Sequence, residues 1–265
     1  MKTLSRTVEL PGGTVFTRSW HPVGSVSRSP AVLLHDSLGC VALWHNFPEA
    51  LAQVLGRPVV AYDRLGYGQS SAREGLPQDD LIEVEARECL PLLLDALEIG
   101  NCILLGHSIG GGIALAAASL VPGRCQAVIT ESALAFAESQ TAQAIARARE
   151  AFRDPDQFEK LRRWHGDKAR WVLDAWTELW LQPRFMSWSL DGWLPGVLCP
   201  VLAIHGDRDE FGSSESAMRI ARGVSGPAQV EIVKDCGHVP HREHRGEVLE
   251  LVSHFLARLP QSLES

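Results

Sequence analysis

Residues 102–118 constrain this chain more than any other stretch. Four apolar residues, Cys102-Ile103-Leu104-Leu105, run into Gly106-His107-Ser108-Ile109-Gly110, and a helix-like series of small residues follows at once. A short continuous apolar run bounded by glycine suits a strand covered on both faces. The chain must then turn sharply into a helix. Residues flanking such a turn have to be small where helix and strand pass close by, and the residue between them takes a strained backbone. Ser108 would project its hydroxyl from the carboxyl end of the strand, at a helix N-terminus where N–H groups point at developing negative charge. A glycine-rich turn with an incidental serine reads the same way locally, so a chemical role for Ser108 depends on partners elsewhere.

The alternation extends through the chain. Segments 5–10 and 14–20 bracket Pro11-Gly12-Gly13 and predict a hairpin. Apolar runs at 31–34, 59–62, 127–130, 200–205 and 230–233 predict further strands, and helical spacing marks 47–55, 79–97, 213–222 and 247–259. Pro91 stands where it would kink or split the second of these helices. Strands alternating with helices predict an α/β fold: a mostly parallel eight-stranded sheet with helices on both faces. The pattern fails over 134–195, which has helix-forming composition, no convincing strand and six of the eight tryptophans. This segment is read as a helical cap inserted into a core domain of residues 1–133 and 196–265.

A length of 265 residues suits one such domain. The net charge of -7 argues against nucleic acid or an anionic membrane as partner. No apolar run reaches the ~20 residues that a bilayer span needs, and no apolar h-region follows the N-terminus, so no signal peptide is expected. Six cysteines scattered without C-x-x-C spacing read as buried thiols in a reducing compartment, which makes the cytoplasm the expected location.

A serine hydroxyl is a poor nucleophile until a base takes its proton, and the base needs an acid to orient it. Downstream of Ser108, His205-Gly206-Asp207-Arg208-Asp209 ends one strand and Asp235-Cys236-Gly237-His238 ends the last. With the G-x-S-x-G turn and Asp63-Arg64-Leu65-Gly66-Tyr67-Gly68-Gln69-Ser70, these loops resemble those of the α/β-hydrolase superfamily over nearly the whole chain outside 134–195. The resemblance implies a capped, esterase-like serine hydrolase. It places Ser108 as nucleophile, His238 as base and Asp209 as acid. Glu131 is the rival acid, since some members carry it after that strand, and Asp207 is a turn residue. The backbone N–H groups of Ser37 and Ile109 would form the oxyanion hole. Asp36 departs from the family pattern, standing where glycine is usual. Its carboxylate is expected to point away from the site and bond its own loop, because it would otherwise repel an oxyanion. A serine at the elbow argues against dehalogenase and epoxide-hydrolase chemistry, which places aspartate there.

No cofactor or metal is expected. His238, His241 and His244 step in threes, whereas a zinc helix wants i, i+4 histidines with a carboxylate. His35, His107 and Cys40 are expected to pack rather than react. Trp176 and Trp180, at i and i+4, read as the cap's own core, with one or two of the six rings reaching substrate. The basic cluster Lys160, Arg162, Arg163, Lys168 and Arg170 reads as a solvated face. The expected reaction is hydrolysis of a small carboxylic ester, thioester or lactone through an acyl-serine, with a rate rising through a histidine titration near neutrality. The same residues serve C–C bond hydrolysis, perhydrolysis or lyase chemistry, and a ligand receptor can retain them. The expected partner is a small acyl substrate, with oligomeric state left open between monomer and homodimer.

Overall fold

The computed structural model describes residues 1–24 and 29–259. Its eight strands are β1 (Lys2–Leu10), β2 (Gly13–His21), β3 (Ala31–Leu34), β4 (Val59–Tyr62), β5 (Cys102–His107), β6 (Cys125–Glu131), β7 (Val201–Gly206) and β8 (Ala228–Val233). They form one sheet in the order β1-β2-β4-β3-β5-β6-β7-β8. β2 runs antiparallel to both its neighbours, and every other pairing is parallel. Parallel strands need crossovers, and helices supply them: α1 (Phe47–Leu55), α2 (Leu81–Val84), α3 (Leu90–Ala96) and α4 (Ile109–Leu120) before β6, then α5 (Ser139–Ala151), α6 (Pro155–His165) and α7 (Ala169–Trp180) before β7, and α8 (Glu215–Gly223) before β8; α9 (Pro240–Glu243) and α10 (Arg245–Ala257) follow the last strand.

The pleat of the central strands feeds two cores. Val32, Leu34 and Leu104 join Ile113, Leu115 and Ile220 on one face of the sheet. Leu33, Ile103 and Leu105 join Phe47, Leu51 and Phe255 on the other. All these side chains are buried, which is why the central strands read as unbroken apolar runs instead of alternating ones. The helix that contains Pro91 is interrupted just before it. α2 passes through a π-helical turn at Glu85–Cys89 before α3 begins, which accommodates a residue with no N–H to give.

Between β6 and β7 the chain makes α5, α6 and α7 and, among the described residues, no strand. The two ends of this excursion are joined. Phe136 pairs with Ser189 in an isolated antiparallel bridge, Ala137 N–H donates to the Trp188 carbonyl (3.0 Å), and Leu190 N–H to that of Ala135 (2.8 Å). Its far side is tied to the core loops. His165 Nε2 donates to the Leu38 carbonyl (3.0 Å), while its Nδ1 accepts from Gly68 N–H (2.9 Å). Lys168 Nζ donates to the Gly68 and Ser70 carbonyls, 2.7 Å each. Among the described residues no helix is long and apolar enough to cross a membrane.

Candidate active site

Leu34 of β3 lies opposite Gly106 of β5, and Gly206 of β7 opposite Val233 of β8. The loops that leave these strands therefore emerge side by side at one edge of the sheet. At the β5–α4 junction Ser108 has φ 55° and ψ −121°, left-handed backbone that a non-glycine residue adopts at a cost of roughly 1–3 kcal/mol. Glycine is required on either side. A Cβ on Gly106 would overlap the Gly110 carbonyl, and one on Gly110 would overlap the carbonyl of Leu34. Ile109 is the first residue of α4, so its N–H belongs to the helix start, where donors lack intrahelical acceptors.

Ser108 and His238 line one cavity of about 190 Å³, together with Asp36, Ser37 and Glu210. Its apolar walls come from Leu38, Leu134, Ile145, Trp176, Trp180 and Phe211. His238 Nδ1 lies 2.9 and 2.8 Å from the two carboxylate oxygens of Asp209. A carboxylate only accepts, so Nδ1 carries the proton and Nε2 is left as the acceptor nitrogen. Asp209 is buried, and burial alone would raise its carboxyl. The hydrogen bond and charge of His238, with the Phe211 N–H at 2.8 Å, turn the net shift downward. His205 lies behind, 3.4 Å from Asp209, and burial lowers its proton affinity. Asp207 does more than shape its own turn, since its Oδ1 accepts from Cys236 N–H (3.3 Å) and joins the Asp209 and His238 loops.

Glu131, the rival acid, turns to a different histidine. Its Oε2 accepts from His241 Nδ1 (2.7 Å) and His241 N–H (3.2 Å), both residues being buried. His244 stands apart, 3.3 Å from the Asp235 carbonyl, so the three stepped histidines face three separate partners. Among the described residues no group of three or more His, Cys, Asp or Glu side chains could hold a metal ion.

Asp36 bonds its own loop through Oδ1, which accepts from Leu38 N–H (3.0 Å). It lines the cavity, and its Oδ2 meets His107 Nδ1 at 3.2 Å. The other His107 nitrogen, Nε2, lies 2.7 Å from the His238 carbonyl. Both partners are acceptors, which favours a proton on each ring nitrogen. Burial opposes the resulting charge, but the Asp36 contact wins and the His107 pKa is raised. Asp36 responds in kind. Desolvation would raise its carboxyl, yet the bond to His107 leaves it well below the carboxylate range. The negative charge flagged at this position in the sequence is therefore compensated from beneath. Cys40, in the same loop, is buried, and burial with the nearby Asp63 pushes its thiol up to about 12, which keeps it protonated.

A family model described as alpha/beta hydrolase fold matches residues 30–189, more than half of the chain. The chain belongs to this family. As an α/β-hydrolase it resembles the 2-hydroxymuconate semialdehyde hydrolase of Pseudomonas sp. (strain CF600), at 25% identity over 86% of this chain and 87% of the relative. Several other relatives are matched over only 27–32% of their own length. Among solved structures it resembles the 2-hydroxy-6-oxo-6-phenylhexa-2,4-dienoate hydrolase from Rhodococcus sp. strain RHA1 (TM-score 0.79, 18% identity, 97% of this chain and 99% of that one). It also resembles the enol-lactonase from Burkholderia xenovorans LB400 (TM-score 0.73, 20% identity, 96% and 100%). The protein is a hydrolase of this fold.

Sequence reasoning missed several groups at this site. Glu210, Thr141 and Val239 line the cavity and carry no signal in the sequence. The Asp36–His107 pair was half visible, because Asp36 breaks the family pattern, but nothing local to His107 announces a partner 71 positions earlier. Of the basic cluster, Arg162 pairs with Glu159 and Arg170 lies 3.8 Å from Asp174 on the surface, whereas Lys168 reaches into the core loops.

Proposed function

We propose that this α/β-hydrolase cleaves a small carboxylic ester, thioester or lactone through an acyl-serine, with residues 134–195 acting as a cap over the site. Ser108 Oγ attacks the acyl carbon and its proton passes to His238 Nε2. The carbonyl oxygen becomes an oxyanion held by the N–H groups of Ser37 and Ile109. Collapse breaks the bond to the leaving group, which departs with the proton from His238. Water then attacks the acyl-serine with His238 again as base, and the acid is released as Ser108 recovers its proton. Asp209 keeps the imidazole in the accepting tautomer and stabilises the imidazolium. One observation carries this reading. A histidine whose Nδ1 is held between two carboxylate oxygens lines the same cavity as a serine with φ 55° at a helix N-terminus. All six cysteines are free, which supports a reducing compartment such as the cytoplasm.

Hydrolysis of a C–C bond beside a carbonyl is the second reading. It is favoured by the relative matched along 87% of its length, a hydrolase of a semialdehyde. Labelling with a fluorophosphonate probe, followed by p-nitrophenyl esters of rising acyl length, tests both. Labelling at Ser108 that disappears in Ser108→Ala, with ester turnover, supports the first reading. Labelling with negligible rates across the series favours the second, and an unlabelled native protein removes both.

A further inference from the structure

We infer that the cavity beside Ser108 takes acyl groups without negative charge, and that Glu210 sets this preference. The inference rests on the serine-hydrolase reading and goes beyond it to substrate class. Leu134, Ile145, Trp176, Trp180, Phe211 and Val239 give the cavity an apolar wall. Two of its polar groups are already engaged. The Thr141 hydroxyl donates to the Phe211 carbonyl (2.5 Å), and the Asp36 carboxylate is held by His107 and Leu38 N–H. Among the described residues no lysine or arginine lines this cavity.

Two of the cations nearby are engaged elsewhere. Arg64 Nη2 donates to the Asp36 carbonyl (2.7 Å), Lys168 to Gly68 and Ser70, and Arg242 lines a separate small cavity that has Asp36 and Val239 as shared walls. The start of α4 at Ile109 brings positive potential to the reacting end. Glu210 is exposed, lines the cavity and has no ion-pair partner among the described residues, so its charge stands at the solvent side uncompensated. A carboxylate on the acyl chain would lose hydration without gaining a counter-charge from the cavity wall, and would share the cavity with Glu210. An uncharged chain meets neither cost, and an ammonium tip finds an opposite charge. A carboxylate-bearing substrate, such as the dienoate in the name of the Rhodococcus hydrolase, suits this cavity poorly.

The test compares p-nitrophenyl hexanoate, the p-nitrophenyl monoester of adipate and p-nitrophenyl 6-aminohexanoate, which share a chain length and differ in terminal charge. The kcat/KM of the adipate ester is expected to fall at least about tenfold below both others at low salt, mainly through KM. The readout is the adipate-to-aminohexanoate ratio within one variant, because a change in folding or in the nucleophile cancels from it. Glu210→Gln should move that ratio toward one and Glu210→Lys should reverse it. Binding of the same esters to Ser108→Ala, read by quenching of tryptophan fluorescence, measures the charge order without turnover. An adipate ester bound or cleaved as well as the others, or a ratio that Glu210→Lys leaves in place, overturns the inference. Loss of the serine-hydrolase reading shows separately, as failure of a fluorophosphonate to label Ser108 while the charge order in Ser108→Ala still stands or falls on its own.

Discussion

Replacing Asp36 with alanine removes the acceptor facing Leu38 N–H and His107 Nδ1, and takes the carboxylate that favours the protonated ring away from a buried histidine. Breaking a buried pair from one side costs roughly 3–5 kcal/mol when both groups are dry. The Asp36 side chain is 30% exposed, so solvent screens part of this. A cost of about 2–3 kcal/mol is expected, a fall of about 4–12 °C in melting temperature for a domain of this size. The pH dependence identifies the cause. His107 has its folded pKa raised above the ordinary 6.5, so its contribution is complete below 6.5 and lost as pH rises through the raised value. Asp36 has its folded pKa lowered from 3.8, so its contribution is complete above 3.8 and lost as pH falls through the lowered value. The difference between wild type and Asp36→Ala should therefore be greatest between 3.8 and 6.5 and shrink on the alkaline side. Urea unfolding of both proteins across this range, with the His107→Phe single and double variants, measures it. A difference below about 0.5 kcal/mol, or one that stays flat above 6.5, would refute the ion-pair reasoning.

Asp209→Asn should lower kcat by about 10²–10⁴-fold on a p-nitrophenyl ester, whereas Glu131→Gln, acting on His241 and not on His238, should stay within about tenfold. Gly110→Ala should abolish soluble folded protein, seen as lost yield and circular dichroism, because its Cβ would meet the Leu34 carbonyl rather than a movable side chain. Burial lowers the His165 pKa, so its contribution is complete above the ordinary 6.5 and lost as pH falls through the lowered value. Protection factors in α6 and α7, with intrinsic exchange divided out at each pH, should accordingly fall on acidification of the wild type, and should already be low and less pH-dependent in His165→Ala.

The strands were legible because burial on both faces writes itself as an apolar run. β3 and β4 match the runs at 31–34 and 59–62, and the elbow glycines carry a steric demand that their neighbours in sequence already announce. α9 was not legible, since four residues within Pro240–Glu243 hold barely one turn of periodicity. The π turn at Glu85–Cys89 was signalled only by Pro91, which predicts a disturbance but not its form. The pairs Asp36–His107 and Glu131–His241 were hidden for a topological reason. Which loops share the rim depends on strand order, with β3 lying between β4 and β5, and no local pattern encodes that order. Glu210 follows Asp209 directly in sequence, and its place in a cavity wall arises only from the fold.

The three-helix excursion leaves after β6 and returns before β7, two strands that lie beside each other, and its stem is zipped by Phe136 and Ser189. A segment whose two feet stand together can be exchanged, lengthened or shortened while the sheet beneath keeps its register. Evolution can then rewrite what enters this cavity through one graft, provided that the new segment replaces the bond from Thr141 to Phe211 in the loop that carries Asp209.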